Sequence, residues 1–198
     1  MRTELFLAAR PLLIDIETDS LRADFGLVLC AVTRPYGPRV SDRKGTRIFR
    51  IDIKAPDLEL AEKAMLQELR KSLIGVTGVI HYFGVHFDIP FLQTRLGMQG
   101  LQLLPKLLQL DMWNTNKRVY DRTITSRRMA AVQALFKEGD RLAPMKSGVE
   151  PHNWRRAKFA RDQKAMDEIV AHCVKDLDVL EYQVRRLTPL LPDRVIRR

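Results

Sequence analysis

"LLIDIETDS" (residues 12–20) starts as a buried strand and then places acids inside it. Leu12, Leu13 and Ile14 form an apolar run, and Asp15 and Glu17 follow two residues apart. Side chains alternate faces along a strand, so these two carboxylates point the same way. Burial and mutual repulsion both oppose such a pair. Either the strand ends here in solvent, with both acids hydrated, or a positive group meets them.

Working outward, "LVLCAVT" (27–33) reads as a second strand, rich in β-branched residues. "TRIFRIDI" (46–53) alternates arginine with apolar residues and reads as a third. The connection "RPYGPRVSDRKG" is turn-rich, so the three strands are expected to form an antiparallel meander. Pro56 and Asp57 then open a helix whose stripe is Leu58, Ala61, Met65, Leu69 and Leu73. "VTGVIHYF" (76–83) is a fourth strand, and "DIPFLQTRL" restarts helical spacing with Pro90 in the tolerated first turn. "LLPKLLQLDMW" holds a short fifth strand ending near Asp111. From about residue 126 the pattern is helical: "SRRMAAVQALF", a loop with "APMKSGVEPHNW", then a long helix from about 163 to 188. This order predicts an α/β fold in one domain, residues 1–198. Its five-stranded mixed sheet has three antiparallel strands, then two parallel ones, flanked by helices.

The 198 residues carry a formal net charge of +10. The excess is clustered. Lys117, Arg118, Arg122, Arg127 and Arg128 form one group, and Arg155, Arg156, Lys158, Arg161 and Lys164 another. A basic field favours a polyanion, most commonly nucleic acid, although such runs also occur as solvated helix faces. The two cysteines, Cys30 and Cys173, lie in apolar patterns without zinc spacing and read as core thiols. They suit a reducing, cytoplasmic setting. "LFLAARPLLI" is too short and too broken to be a membrane span or a signal peptide.

Two further acids sit in apolar surroundings. Asp88, in "HYFGVHFDIPFL", follows a buried strand where a helix starts, so it reads as a helix cap, a ligand, or both. On the long helix, Met166, Ile169, Cys173, Leu177, Leu180 and Val184 make the apolar stripe. At about 100° per residue, Asp176 falls at the edge of that stripe and Asp178 on the far, solvent side. His172 lies one turn before Asp176 on the same side. Four acids from three elements can share a site as anions only if cations hold them. Oxygen-only donors favour Mg²⁺ or Mn²⁺, and a pair of such ions is the usual device for phosphodiester hydrolysis.

Together these motifs resemble the DEDD superfamily of 3′–5′ exonucleases, which have a ribonuclease H-like fold. Most similar is the stand-alone type related to the proofreading domain of family-B DNA polymerases. "LLIDIETDSL" matches the D-x-E motif, and Phe87-Asp88 with "IPFL" matches the second motif. "HCVKDLDVLE" places His172 four residues before Asp176. The resemblance spans about residues 11–188. It implies that Asp15, Glu17, Asp88 and Asp176 ligate two Mg²⁺ or Mn²⁺ ions. His172 then stands where the family orients or deprotonates the attacking water. A histidine, with an ordinary pKa near 6.5, suits a base better than a tyrosine near 10. Thr18 falls where the family contacts the terminal nucleotide. Lys146 and Trp154 fall in a loop placed to reach phosphates or stack a base. One departure is clear: Phe83 replaces the asparagine of the second motif, removing a hydrogen-bonding group and offering a ring that can stack on a base. The implied activity is a metal-dependent 3′–5′ exonuclease on nucleic-acid ends, with single-stranded DNA favoured and RNA a second substrate. The alternatives are an endonuclease or junction resolvase of the same fold, and a non-catalytic nucleic-acid-binding module.

Overall fold

Apolar β-branched runs bounded by turns build the sheet, and the computed structural model describes residues 1–37, 43–136 and 152–197. A short helix, α1 (Thr3–Ala8), precedes β1 (Leu12–Thr18), β2 (Val28–Pro35) and β3 (Arg47–Arg50). Helix α2 (Leu58–Ser72) leads to β4 (Gly78–His81), and α3 (Asp88–Met98) leads to β5 (Leu108–Asp111). Helices α4 (Met112–Tyr120), α5 (Met129–Gln133), α6 (Asn153–Phe159) and α7 (Gln163–Arg186) follow, and β6 (Ile196–Arg197) closes the order.

The strands lie in the order β3-β2-β1-β4-β5-β6. β1 pairs antiparallel with β2 and parallel with β4, and β4 pairs parallel with β5. The five expected strands and their directions are therefore present. The two-residue β6, antiparallel to β5 at the edge, was not legible. Its length is below what a period-2 pattern can signal. β1 sits centrally, with Leu13 and Ile14 fully buried, so the acids after them stand on a rigid strand. α7 packs across β1 and β2.

Four helices differ from expectation, the short α1 among them, since no helix was expected before β1. α4 begins where the sequence shows only a basic run, because Asp111 caps it by accepting from the Trp113 and Asn114 N–H groups. The helix expected over 126–136 is only Met129–Gln133, since Arg128 is extended and Leu135 and Phe136 turn on short-range bonds. Trp154 is not in a loop; it is the second residue of α6. Asp178 was expected to face water and is fully buried instead. Arg34 Nη1 donates to its Oδ1 at 2.6 Å, and Arg43 Nη2 to its Oδ2 at 2.6 Å. The C-terminal half of α7 is enclosed by α4, α5 and β2 together, so a stripe argument for one covered face fails there.

Asp111 does more than cap α4. Its Oδ1 also accepts from Phe83 N–H at 3.0 Å and its Oδ2 from Val85 N–H at 3.1 Å. His81, fully buried on β4, faces it at 3.5 Å. Burial opposes its charge, yet His81 and the Val85 and Phe83 N–H groups hold its carboxyl below the usual range. One carboxylate thus ties the end of β5 to the loop after β4. That loop packs tightly: a Cβ on Gly84 would lie 2.5 Å from His81 Cγ. Replacing Asp111 with Ala leaves several N–H groups without their acceptor, so we expect urea denaturation at pH 7 to show a loss of roughly 2–4 kcal/mol. A loss of only a few tenths would contradict the clamp.

Candidate active site

Asp15 and Glu17 lie on the same face of β1, as the period of the strand requires. The register shifts between Glu17 and Thr18, so the strand distorts just beyond the acids. Asp88 is the first residue of α3, and the N-cap position before it belongs to Phe87, which makes no side-chain cap. The Asp88 carboxylate accepts from its own N–H and from that of Ile16 on β1, which locks the start of α3 to the central strand. Asp176 and His172 come from α7, both nearly fully buried.

These groups converge. His172 Nε2 lies 3.6 Å from Glu17 Oε1 and 3.7 Å from Asp176 Oδ2. Glu17, His172 and Asp176 each offer one ligand atom, all within 4.8 Å of one another. The Asp15 carboxyl is pushed well up, first by burial, then by the charges of Asp176, Asp88 and Glu17. Cys173 lowers it slightly by donating its thiol to Asp15 Oδ2 at 3.1 Å. Asp88 is pushed up to about 6 by burial, against the pull of His81 and its two backbone donors. Repulsion among close carboxylates is what a divalent cation relieves, and carboxylate oxygens suit Mg²⁺ or Mn²⁺.

A cavity of about 570 Å³ opens on this cluster, within the roughly 300–1,000 Å³ of small-molecule sites. Asp15 and Asp176 line one part, Phe83 and Trp113 another, and Arg127 and Arg128 a third. Phe83 is 40% exposed and has a φ of 65°, a left-handed conformation rare for a bulky residue. Its ring meets Trp113 edge-on, with centroids 5.1 Å apart. Arg127 lies over the Trp113 ring at 5.6 Å and Lys117 at 5.4 Å. Tyr82 donates its hydroxyl to the Arg127 carbonyl at 2.5 Å, which seats the arginine segment beside the cavity.

Lys117, Arg127 and Arg128 of the first basic cluster therefore reach the site, whereas Arg118 donates to the Leu190 carbonyl. The second is largely committed elsewhere: Lys158 bonds Asp19, Arg156 bonds Asp162, and Arg161 donates to the Ile53 carbonyl. The Thr18 hydroxyl donates to the Ser20 carbonyl at 2.6 Å, beside the acids. Lys146 lies outside the described residues. Residue spacing did not reveal Trp113, Asp111 or the Cys173 thiol as neighbours of the site; only the Asp111 cap pattern before α4 was available to find one of them. Trp154, read as a loop residue, instead donates its indole N–H to Glu17 Oε2 at 3.0 Å.

The model of the RNase_H_2 family, of the RNase_H superfamily, matches residues 12–187. A solved structure similar to the chain is the family B DNA polymerase from the hyperthermophilic archaeon Pyrobaculum calidifontis. The TM-score is 0.58 and the identity 15%, over 91% of this chain and 24% of the polymerase chain. The chain thus spans about a quarter of the polymerase's length, and the likeness is one of fold. No curated protein sequence matches the chain. No helix among the described residues is long and apolar enough to cross a membrane.

The raised Asp88 carboxyl has a testable sign. Its folded pKa is near 6 and its unfolded value 3.8, so ionisation costs stability as pH rises through that window, and the full cost is present above it. We expect Asp88→Asn to stabilise the metal-free protein at pH 7 by on the order of 2 kcal/mol, a Tm rise of roughly 4–8 °C. The gain should vanish below about pH 4. Melting curves at both pH values check this; no gain at pH 7 would mean that Asp88 is not under electrostatic pressure.

Proposed function

The chain belongs to the RNase H superfamily, and on that premise we propose that it is a metal-dependent 3′–5′ exonuclease of the DEDD type. It acts, as one domain, on unpaired DNA or RNA ends. The observation that carries this reading is the convergence of acids from β1, α3 and α7 at the mouth of an aromatic and arginine-lined cavity. Asp15, Glu17, Asp88 and Asp176 would hold Mg²⁺ or Mn²⁺. When bound, such ions lower the pKa of a water and neutralise charge on the phosphate.

The chain's own groups do the rest. His172 accepts the proton of the attacking water at Nε2, and Glu17 and Asp176 stabilise the imidazolium that forms. Phe83 and Trp113 offer faces and edges to an unpaired base, and Arg127 and Arg128 offer charge to the phosphates. Thr18, and Lys146 beyond the described residues, are further substrate contacts in this reading. The two free buried thiols suit a reducing compartment such as the cytoplasm.

Incubation with 5′-labelled single strands and Mn²⁺ should give a ladder shortening from the 3′ end. Chelator or Asp15→Ala should abolish it. His172→Ala should slow it by roughly 10²–10⁴ while metal binding survives. Cleavage of circular single strands would point to an endonuclease instead. Intact labelled ends on both nucleic acids would leave a binding module.

Phe83 offers a separate check. Replacing it with Asn relieves left-handed strain of roughly 1–2 kcal/mol, which offsets lost ring contacts of roughly 0.5–1.5 kcal/mol. Stability should therefore hold near wild type. Affinity for single-stranded DNA in chelator, read by fluorescence anisotropy, should fall by roughly 1–3 kcal/mol. Unchanged affinity would remove Phe83 from the substrate path.

A further inference from the structure

The stretch "DIETDS" holds three acids, Asp15, Glu17 and Asp19, yet they meet different fates. Both Asp19 oxygens are engaged away from the cluster. Oδ1 accepts from Leu27 N–H at 2.6 Å, and Oδ2 pairs with Lys158. Glu17 is held from the same helix. Trp154 and Lys158 are four residues apart on α6, hence on one face, one turn apart. Glu17 and Asp19 are two apart in sequence, just where β1 ends. The helix face and the strand end therefore meet at two matched points: indole on Glu17, ammonium on Asp19.

Other contacts also hold α6 in place. Asn153 Nδ2 donates to Glu168 Oε2 on α7 at 2.6 Å, and the helix packs along α7 with Ala157 fully buried. After α6, Arg161 reaches the Ile53 carbonyl at 2.7 Å. The helix is thus a fixed platform from which Trp154 acts. An indole N–H only donates, so it needs an acceptor oxygen. It takes Glu17 Oε2, while Oε1 faces His172 Nε2 at 3.6 Å.

We infer that Trp154 is a positioning residue for the cation site, holding Glu17 Oε2 so that Oε1 is presented toward His172 and Asp176. The inference rests on the proposal that Glu17 is a metal ligand, and it assigns α6 the task of fixing that ligand. Outer hydrogen bonds of this kind orient a ligand before the cation arrives, and their removal typically costs 10–100-fold in affinity. Lys158 contributes by neutralising Asp19, which keeps a competing carboxylate out of the cluster.

Mn²⁺ binding, followed by the free-ion electron paramagnetic resonance signal, tests this in wild type, Trp154→Phe and Glu17→Gln without any substrate. Trp154→Phe keeps the ring and loses the donor. It should weaken Mn²⁺ binding by roughly 10- to 100-fold. Trp154→His, which restores a ring N–H, should recover much of the loss, whereas a purely packing role would not respond to the donor. Wild-type affinity in Trp154→Phe alongside weakened affinity in Glu17→Gln would overturn the inference and leave the ligand assignment standing. Wild-type affinity in Glu17→Gln would overturn both. A measurement needing no variant is the indole N–H resonance of Trp154, one of only two tryptophans, during Mg²⁺ addition. It should move until the site saturates; a resonance that stays put contradicts the inference.

Discussion

Mutual repulsion among Asp15, Glu17, Asp88 and Asp176 is the constraint on which the rest of this structure depends. Burial pushes the Asp15 carboxyl up, and the charges of Asp176, Asp88 and Glu17 push it further. A chain gains nothing in folding by assembling them, so the scaffold must hold them by force. β1 does so by being central, paired on both sides, with its apolar residues sealed in the core. α3 is tied in by the Ile16 N–H on the Asp88 carboxylate, and α7 by the Cys173 thiol on Asp15. The site is thus a pressure point that a divalent cation would discharge, which ties ligand binding to stability through the same groups.

Two peripheral devices shape what surrounds that point. Asp111 accepts from the loop after β4 and from the first turn of α4, so one carboxylate sets the aromatic wall of the cavity. It holds Phe83 in a left-handed conformation, and strain kept beside a site is usually retained for what the side chain does there. On the other side, α6 lays Trp154 on Glu17 and Lys158 on Asp19. Cavity wall and helix flank the acids: Asp111 on β5 holds the wall, and α6 packs on α7, which also carries Asp176.

Much of this was legible in the sequence. Period-2 spacing placed Asp15 and Glu17 together, and helical spacing placed His172 one turn from Asp176. The five main strands followed from apolar runs and turn chemistry. What stayed hidden depends on contacts between distant segments. Asp178 looks solvated on a helical wheel and is buried because β2 covers that part of α7, bringing Arg34 to it, with Arg43 alongside. Trp154 looks like a loop residue because α6 has a weak pattern, and no local signal shows its partner 137 residues away. Cys173 reads as a core thiol; that its sulfur also touches Asp15 is set by the packing of α7 on β1.

Crystals of the protein soaked in Mn²⁺, with data collected at a wavelength where manganese scatters anomalously, test whether the four carboxylates hold cations. Anomalous peaks ligated by Asp15, Glu17, Asp88 and Asp176 are expected beside the Phe83–Trp113 cavity. Anomalous peaks bound elsewhere on the chain, with these four carboxylates bare at saturating Mn²⁺, would contradict it.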